Sequence, residues 1–421
     1  MGTVGTGVAR LLVEQQQRVA QRAGCRVELA RVVVRDRTRP REVLLPAGVV
    51  TDDLSAVTQD REIRVVAHLV GGLEPARSIM LRLLEAGKDV VTANKALLAE
   101  HGPELFDRAR ELGRSIAFDA AVAGGIPIVT NIAQCLAANQ ILSLHGILNG
   151  TSNFILTQME EQQTAYEEAL REAQRRGYAE ADPSLDVNGT DAAQKLAILA
   201  QLAFGARVPW QQVAREGIDQ VTLADIRFAH ELGYRIRLIA QGRLSASGLE
   251  LRVAPMLVRM GGPMADVRDA YNAISVVGDA VGRIFYHGLG AGQMPTASAV
   301  VADMIDMVVG RMPITFRTLK LWDQPDGAQA LCPPEHQYRR FYMRLDVVDR
   351  PGVLAEIAGV LGRHTISIAS VIQHEQQGDG PVVPLVIMTH RASERNMERA
   401  LVEIRRLAVV QSPGVCLRVL E

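Results

Sequence analysis

The chain has 421 residues, of which 48% are hydrophobic, and carries a formal net charge of −1. The length predicts two or three domains. The near-neutral charge excludes a strong electrostatic preference for nucleic acid or an anionic membrane surface. No secretion signal opens the chain and no apolar run reaches about 18 residues, so we expect a cytoplasmic protein without a membrane-spanning helix. The four cysteines are scattered, which favours reduced thiols over a disulfide framework or a zinc site.

Lysine is rare in this chain. The 46 basic residues include only Lys88, Lys95, Lys195 and Lys320 as lysines. Arginine is effectively never deprotonated, whereas a buried lysine can exchange a proton. We therefore consider Lys95 and Lys195 as candidates for proton transfer. The alternative is that these lysines occur at their positions by chance and have no special role.

The first residues, MGTVGTGVARLL, place Gly2, Gly5 and Gly7 before an apolar run with helical spacing. This pattern matches the second half of the phosphate-binding G-x-G-x-x-G turn at the start of a helix. The preceding strand and the first glycine of that turn are absent. We expect that the true start lies upstream and that the first strand of a nucleotide-binding sheet is missing here.

Strands are predicted over 26–36, 63–72 and 89–95, with helical segments between them. This alternation is typical of a doubly wound parallel sheet, whose ligands bind at the carboxyl ends of the strands. Gly71, Gly72 and Lys95 fall at those ends. At the end of the first of these strands, Asp36 would hold a ribose hydroxyl and Arg35 would accept a 2′-phosphate. Arg35 lies nearer the strand end, which favours NADP over NAD.

The middle of the chain changes character after Pro127. Residues 141–156 predict a strand, a tight turn and a helix, and 177–191 predict a carboxylate-rich loop. The helix predicted over 191–204 places Asp191 and Lys195 four residues apart on one face. This spacing allows either an ordinary exposed ion pair or an ammonium group held by a carboxylate for proton transfer. Strands are predicted over 245–260 and 271–287.

The C-terminal part begins with a glycine turn and a helix over 287–308, followed by a predicted linker over 316–338. Residues 341–421 then show strand, helix, strand, strand, helix and strand. This βαββαβ order predicts a small ferredoxin-like module.

Together these motifs resemble homoserine dehydrogenases of the longer bacterial type, which carry a C-terminal ACT domain. The resemblance covers nearly the whole chain. It rests on the segments 2–8, 71–76, 90–99, 121–128, 148–156, 177–199, 288–292 and 349–361. It implies a Rossmann-like NAD(P)-binding domain over 1–126 and an α+β catalytic and dimerisation domain over 127–286. A returning segment over 287–315 would pack on the nucleotide-binding domain, and the ACT domain would occupy 339–421 after the linker.

The resemblance implies a reversible NAD(P)-linked interconversion of L-aspartate 4-semialdehyde and L-homoserine, on the route to threonine and methionine. Lys195 is then the proton donor to the carbonyl oxygen, with Lys95 as a second essential lysine and Asp191 orienting the ammonium group. The implied substrate-binding residues are Glu180, Asp186, Gly150 and Thr151. The implied cofactor-binding residues are Gly2, Thr3, Val4, Arg35, Gly71, Gly72, Lys95 and Gly292.

The resemblance also implies a structural monovalent cation such as Na⁺, held by backbone oxygens. The matching positions are Asp119, Val122, Gly124 and Ile126, with Asp119 standing where the family often has glutamate. In the ACT module, the segment Asp349, Gly352, Val353 and Leu354 matches an effector site, with threonine as the expected effector. A homodimer or homotetramer is expected.

Several alternatives remain open from the sequence. The chain could be a non-catalytic amino-acid sensor with a defective nucleotide domain, or another semialdehyde dehydrogenase or reductase on the same scaffold. The ACT module could serve dimerisation alone. The sequence does not decide between NAD and NADP as cofactor, the identity of the effector, or whether the protein is a dimer or a tetramer. His68 stands where the family often has a carboxylate, and it receives no role.

Overall fold

The structure, a computed structural model, describes residues 1–322, 330–374 and 381–421. Within these ranges no helix is both long and apolar enough to cross a membrane. The chain divides into two compact units. The first contains Met1–Leu144, Asp191–Val213 and Tyr271–Gln329, and the second contains His145–Thr190, Ala214–Ala270 and Ala330–Glu421.

The helices and strands follow one another in a mixed α/β order. Up to residue 147 they are α1 (Thr3–Glu14), α2 (Gln16–Ala23), β1 (Val32–Val33), β2 (Val50–Thr51), α3 (Ser55–Thr58), β3 (Val65–His68), α4 (Ala76–Glu85), β4 (Asp89–Thr92), α5 (Lys95–Glu111), β5 (Ile116–Ala117), α6 (Ile128–Thr130) and β6 (Ile141–Ile147). Next come α7 (Gly150–Gln162), α8 (Tyr166–Arg175), α9 (Ser184–Val187), α10 (Thr190–Phe204), β7 (Ala214–Arg215), α11 (Leu223–Glu231), β8 (Tyr234–Ser245), β9 (Gly248–Arg259), β10 (Tyr271–Gly278) and β11 (Gly282–Leu289). The last are α12 (Gln293–Val308), α13 (Arg311–Leu319), β12 (Tyr338–Arg339), β13 (Phe341–Val348), α14 (Val353–Arg363), β14 (Ile368–Ile372), β15 (Val382–Thr389), β16 (Ala392–Ser393), α15 (Glu394–Ile404) and β17 (Val410–Val419).

In the first unit, β3, β4 and β5 form a parallel sheet, and β1 and β2 form a separate parallel pair. The prediction of a parallel α/β sheet is confirmed. The strand predicted over 26–36 was too long, since only Val32 and Val33 pair there. The strand predicted over 271–287 is a hairpin of β10 and β11, which turns between Gly278 and Gly282.

Helices α1 and α12 pack closely in the first unit. Their apolar side chains share a core with β4 and β5, including Val8, Leu12, Val91, Ala117, Ala297 and Val300. A Cβ atom added to Gly7 would lie 2.8 Å from both the Ala297 Cβ and the Gln293 carbonyl oxygen. Gly7 is therefore the residue that lets the two helices approach.

In the second unit, the strands of one sheet follow the order β8, β9, β17, β13, β15 and β14. The last four strands, with α14 and α15, form the predicted ferredoxin-like module, which is confirmed. On β13, Phe341, Met343 and Leu345 face the core of that module. Strand β8 was not predicted. Part of the predicted linker, 323–329, lies outside the described residues.

Buried charges join the module to β9, besides the parallel pairing of Arg418 and Val419 in β17 with Met256 and Leu257. The Glu394 carboxylate is 1% exposed and lies 3.1 Å from Arg252 and 3.2 Å from Arg339. Burial opposes its ionisation, but Arg418 and Arg252 hold the pKa of Glu394 below its usual value. The carboxylate is thus compensated, as a buried charge must be.

Replacing Gly7 with alanine is expected to destabilise the protein by about 1–3 kcal/mol, because the added methyl group forces α1 and α12 apart. Urea denaturation measures the change. Gly362 in α14 has nothing within 4 Å of an added Cβ, so Gly362→Ala is the matched control and should be neutral or stabilising by up to ~1 kcal/mol. An unaltered unfolding midpoint for Gly7→Ala would show that this close approach carries no constraint.

Candidate active site

Two lysines meet one buried carboxylate in the first unit. The Asp191 Oδ2 atom lies 2.8 Å from Lys195 Nζ, and its Oδ1 atom lies 3.0 Å from Lys95 Nζ. Asp191 and Lys195 are one turn apart on α10, and they are only 7% and 9% exposed. The pair is therefore not an ordinary exposed ion pair. One buried carboxylate therefore bridges two ammonium groups.

Lys95 is the first residue of α5, so the start of this helix determines its position. The side-chain oxygen of Asn94 accepts the backbone N–H of Leu97 at 3.0 Å, which caps the helix at Lys95. The preceding strand, β4, is fully buried at Val90 and Val91. The side chain of Lys95 is 37% exposed, so it is the more accessible of the two lysines.

The predicted cofactor residues lie at strand ends and helix starts. In the parallel register His68 pairs with Thr92, so the segments that follow β3 and β4 leave the same edge of the sheet. Gly71 and Gly72 follow β3, and each has open space where a Cβ would stand. Gly72 has φ +76°, a conformation that favours glycine.

Two helix starts complete the predicted cofactor elements. Gly2 is the N-cap of α1, and a Cβ added there would meet no atom within 4 Å. The backbone N–H groups of the first turn, including those of Thr3 and Val4, lack intrahelical partners because the helix begins here. Gly292 caps α12 with φ +121°. The Gln293 carbonyl next to it packs against Gly7 of α1. The glycine turn before α12 is thereby fixed beside α1.

In the loop after β1, the Asp36 carboxylate is hydrogen-bonded within the loop, whereas the Arg35 side chain is exposed. The Asp36 carboxylate accepts hydrogen bonds from the Thr38 backbone at 2.8 Å and the Thr38 hydroxyl at 2.6 Å. These bonds hold the pKa of Asp36 below its usual value. Arg35 is exposed. The side chain of Arg41 donates to three carbonyl oxygens of the loop and stabilises its shape.

His68, the last residue of β3, is buried, with 2% of its surface exposed. Neither ring nitrogen makes a hydrogen bond of ordinary geometry among the described residues. Burial lowers the pKa of His68 to about 4, and the backbone of Ala76 opposes this only in part. The folded protein therefore requires a neutral imidazole at this position.

The predicted substrate residues lie in the second unit. Asn149 caps α7 through the Ser152 N–H at 2.8 Å and donates to Asp186 Oδ1 at 2.7 Å. The Ser152 hydroxyl donates to the Asp186 carbonyl at 2.9 Å. An added Cβ on Gly150 would lie 2.6 Å from the Ala270 carbonyl oxygen, which explains the glycine.

The carboxylate loop is anchored at its first half as well. The Thr151 hydroxyl donates to the Tyr178 carbonyl at 2.6 Å. The Gln174 amide donates to the Glu180 carbonyl at 3.2 Å. The side chain of Glu180 is exposed, so the backbone is held while the carboxylate reaches solvent.

Asp119 and the turn that follows it are buried. The Asp119 carboxylate accepts the Val129 N–H at 3.0 Å and the Thr130 hydroxyl at 3.3 Å. Burial raises the pKa of Asp119 to about 6, and burial with the nearby Asp119 charge raises that of Asp303 well above its ordinary value. Ala123 takes φ +53°, so the chain turns sharply through Val122, Gly124 and Ile126. No group of three His, Cys, Asp or Glu side chains in the described ranges could hold a metal ion.

In the ACT module, the predicted regulatory residues form an exposed turn. Gly352 caps the 11-residue helix α14 with φ +93°. Asp349 is exposed and Leu354 is 42% exposed, whereas Val353 is buried. A helix N-terminus with exposed N–H groups is suited to a carboxylate.

The structure thus brings Lys95, Asp191 and Lys195 together in one unit and links Asp186 to Asn149 in the other. Sequence reasoning assigned no role to Asn94 or Asn149. Both precede a helix, and this helix-capping signal could have identified them.

A parallel α/β sheet, a buried lysine–carboxylate cluster and a ferredoxin-like module are the parts expected of an NAD(P)-dependent oxidoreductase with an appended ferredoxin-like domain.

Comparison with known proteins identifies the family. Family models match for the NAD-binding domain of homoserine dehydrogenase over 1–119, for homoserine dehydrogenase over 127–305 and for the ACT domain over 341–409. A homoserine dehydrogenase from Pseudomonas aeruginosa is 43% identical over 427 residues, covering 100% of this chain and 97% of that protein.

A crystal structure of a homoserine dehydrogenase from Thiobacillus denitrificans matches with a TM-score of 0.92 and 41% identity, covering 100% of this chain and 96% of that one. A more distant archaeal homoserine dehydrogenase, a mutant in complex with NADPH, matches 73% of this chain and 95% of its own, at 25% identity and a TM-score of 0.56.

The chain belongs to the homoserine dehydrogenase family, whose members are oxidoreductases that act on a CH–OH group. It has the family's NAD(P)-binding, catalytic and ACT domains.

Replacing His68 with glutamine is expected to remove part of the acid sensitivity of the fold. The folded pKa lies below the unfolded value of 6.5, at about 4, so the stabilisation is complete above pH 6.5 and is lost as the pH falls through 4. Relative to His68→Gln, the wild type should lose up to about 3 kcal/mol between these limits. Urea denaturation from pH 7 to 4 measures this, with the exposed His390→Gln as control. Parallel pH profiles for wild type and His68→Gln would contradict the account.

Proposed function

We propose that the Lys95–Asp191–Lys195 cluster performs the proton transfer in the interconversion of L-aspartate 4-semialdehyde and L-homoserine. The observation that supports this is one buried carboxylate within 3.0 Å of two ammonium groups. As the aldehyde carbon is reduced, its oxygen gains alkoxide character. A nearby ammonium group stabilises that charge and then protonates it.

Lys195 is the proton donor in this proposal. Its burial and its hydrogen bond to Asp191 Oδ2 at 2.8 Å fix the orientation of its ammonium group, which carries three donors in all. Lys95 is the second cation at the developing negative charge, and Asp191 orients both lysines. The bound nicotinamide supplies or accepts the hydride. In the reverse direction the alcohol proton passes to the Lys195 amine.

We assign substrate recognition to the carboxylate loop and to the start of α7. Glu180, exposed on a held backbone, takes the substrate ammonium group. Asp186, fixed by Asn149 at 2.7 Å, contacts the hydroxyl end. We assign the backbone at Gly150 and Thr151 to substrate binding as well. These roles follow the family resemblance and match the chemistry of an amino acid substrate.

We propose NADP as the cofactor. The residues fit a dinucleotide, because Gly2, Gly71 and Gly72 leave the space that a backbone needs to approach phosphate. The first turn of α1, with Thr3 and Val4, and the glycine turn at Gly292 are the further contacts. Asp36 is committed to Thr38, which leaves exposed Arg35 to meet a 2′-phosphate. The archaeal relative in complex with NADPH is consistent with this choice.

A monovalent cation at Asp119, Val122, Gly124 and Ile126 is compatible with the residues present. The donors are oxygens only, the chemistry that hard cations prefer. Asp119 and Asp303 are 6% and 5% exposed, so a cation beside them would offset the burial of two carboxyl groups. A cation there would stabilise the sharp turn at Ala123.

We further propose that the turn with Asp349, Gly352, Val353 and Leu354 binds the amino acid effector threonine, and that the protein is a homodimer or homotetramer. The exposed N-terminus of α14 supports a carboxylate at this turn. The alternative of a module that serves assembly alone predicts no response to any amino acid.

The Lys195→Arg substitution tests the proton donor, because arginine keeps the charge and cannot release a proton near neutral pH. We expect kcat for NADP⁺ reduction by L-homoserine to fall by about 10²–10⁴-fold. Lys320→Arg, at an exposed lysine after α13, is the matched control and should retain wild-type activity. Lys195→Arg activity above one-tenth of wild type would sink the assignment.

The Arg35→Ala substitution tests the cofactor choice. Loss of one charge-assisted contact of about 1.5–3 kcal/mol should lower kcat/KM for NADP⁺ roughly 10- to 100-fold and leave NAD⁺ turnover nearly unchanged. Steady-state rates with both cofactors measure the ratio. The exposed Arg31→Ala is the control for loss of positive charge in the same segment. Equal losses with both cofactors would refute a 2′-phosphate contact.

A further inference from the structure

We infer that Asn94 is a positioning residue that ties the Gly71–Gly72 loop to the helix that begins at Lys95. The inference rests on the proposed function, in which the loop faces the cofactor and Lys95 faces the reacting atoms. The proposed function gives Asn94 no part in the chemistry, so its inferred role is to position the two elements.

The side chain of Asn94 uses its donors and its acceptor on different elements. Nδ2 donates to the Gly72 carbonyl at 2.7 Å and to the Val70 carbonyl at 2.9 Å. Oδ1 accepts the Leu97 N–H at 3.0 Å. Both amide hydrogens and the amide oxygen are therefore engaged. One planar group links the loop after β3 to the first turn of α5.

The loop needs such a restraint. Gly71 and Gly72 have open space on their side-chain faces, and Gly72 lies in the left-handed region at φ +76°. Two glycines in succession are conformationally free, so the loop carbonyls would otherwise sample several orientations. The two bonds from Asn94 fix the carbonyls on either side of Gly71.

The backbone of Asn94 is held by Thr92, the last residue of β4. Its N–H donates to the Thr92 hydroxyl at 3.2 Å, and that hydroxyl donates to the His68 carbonyl at 3.2 Å. Thr92 is fully buried. Thr92 thus links the last residues of β3 and β4, and Asn94 links the segments that follow these two strands.

The consequence concerns Lys95. It is the next residue after Asn94 and the first of α5, and its ammonium group lies 3.0 Å from Asp191. A shift of the cofactor loop moves the Asn94 amide, and with it the cap that sets where α5 begins. Loop position and lysine position are therefore set by one side chain, and a cofactor that orders the loop also orders Lys95.

Two substitutions separate this role from simple helix capping. Asn94→Asp and Asn94→Ser both keep an oxygen that caps α5. Both lose the amide donors to Val70 and Gly72. Asn139→Asp is the matched control in the same unit, since the Asn139 oxygen accepts the Val281 N–H at 2.8 Å in an analogous way.

NADPH binding is measured by fluorescence titration of the full-length protein, with thermal melting and steady-state kinetics in parallel. Both Asn94 variants should bind NADPH at least 10-fold more weakly and lose kcat as well, while they remain folded. Asn139→Asp should bind like wild type. A purely structural role would lower the melting temperature and leave the NADPH affinity of the folded fraction unchanged.

Wild-type affinity for NADPH in both Asn94 variants would overturn the inference. That outcome is distinct from failure of the proposed function, in which wild type itself would neither bind NADPH nor reduce NADP⁺ with L-homoserine.

Discussion

The carboxylate of Asp191 lies between the ammonium groups of Lys195 and Lys95, at 2.8 and 3.0 Å. A buried carboxylate without a partner is energetically costly, and here two cationic partners compensate it. The bond to Lys195 follows from the helical repeat of α10, whereas the bond to Lys95 needs a distant part of the chain. The second contact depends on the parallel sheet of the first unit. The parallel sheet fixes β4, β4 fixes the start of α5, and α5 presents Lys95.

In each unit an asparagine at a helix start also holds a neighbouring segment of the chain. Asn94 caps α5 and donates to the Gly72 carbonyl in the loop after β3, and Asn149 caps α7 and donates to Asp186. An asparagine can do this because it offers donors and an acceptor on one short, planar group. An aspartate would cap the helix equally well but could not donate to a carbonyl. The choice of residue at these caps is therefore a matter of function as well as of helix stability.

The sequence predicted the parallel sheet, the ferredoxin-like module and the shared face of Asp191 and Lys195, because each depends on a short-range period. The scarcity of lysine pointed to Lys95 and Lys195 before any family resemblance. Strand β8 escaped prediction because Arg235, Arg237 and Arg243 interrupt its apolar pattern. Yet Arg237 is 1% exposed, and its charge is met by Glu160 at 3.1 Å. The capping role of the two asparagines had a local signal, but their loop partners Gly72 and Asp186 lie more than 20 residues away in sequence and could not be predicted. Long-range compensation of this kind has no local signature.

The central claim is that Lys95, Asp191 and Lys195 act as one unit. A double-mutant cycle on kcat for L-homoserine oxidation, with Lys95→Met, Asp191→Asn and the double variant, tests it most directly. The account predicts strong non-additivity: the double variant should be about as slow as the slower single variant, because each single change already disrupts the bridge. Losses that multiply in the double variant would show that Lys95 and Asp191 act independently, and would contradict the account.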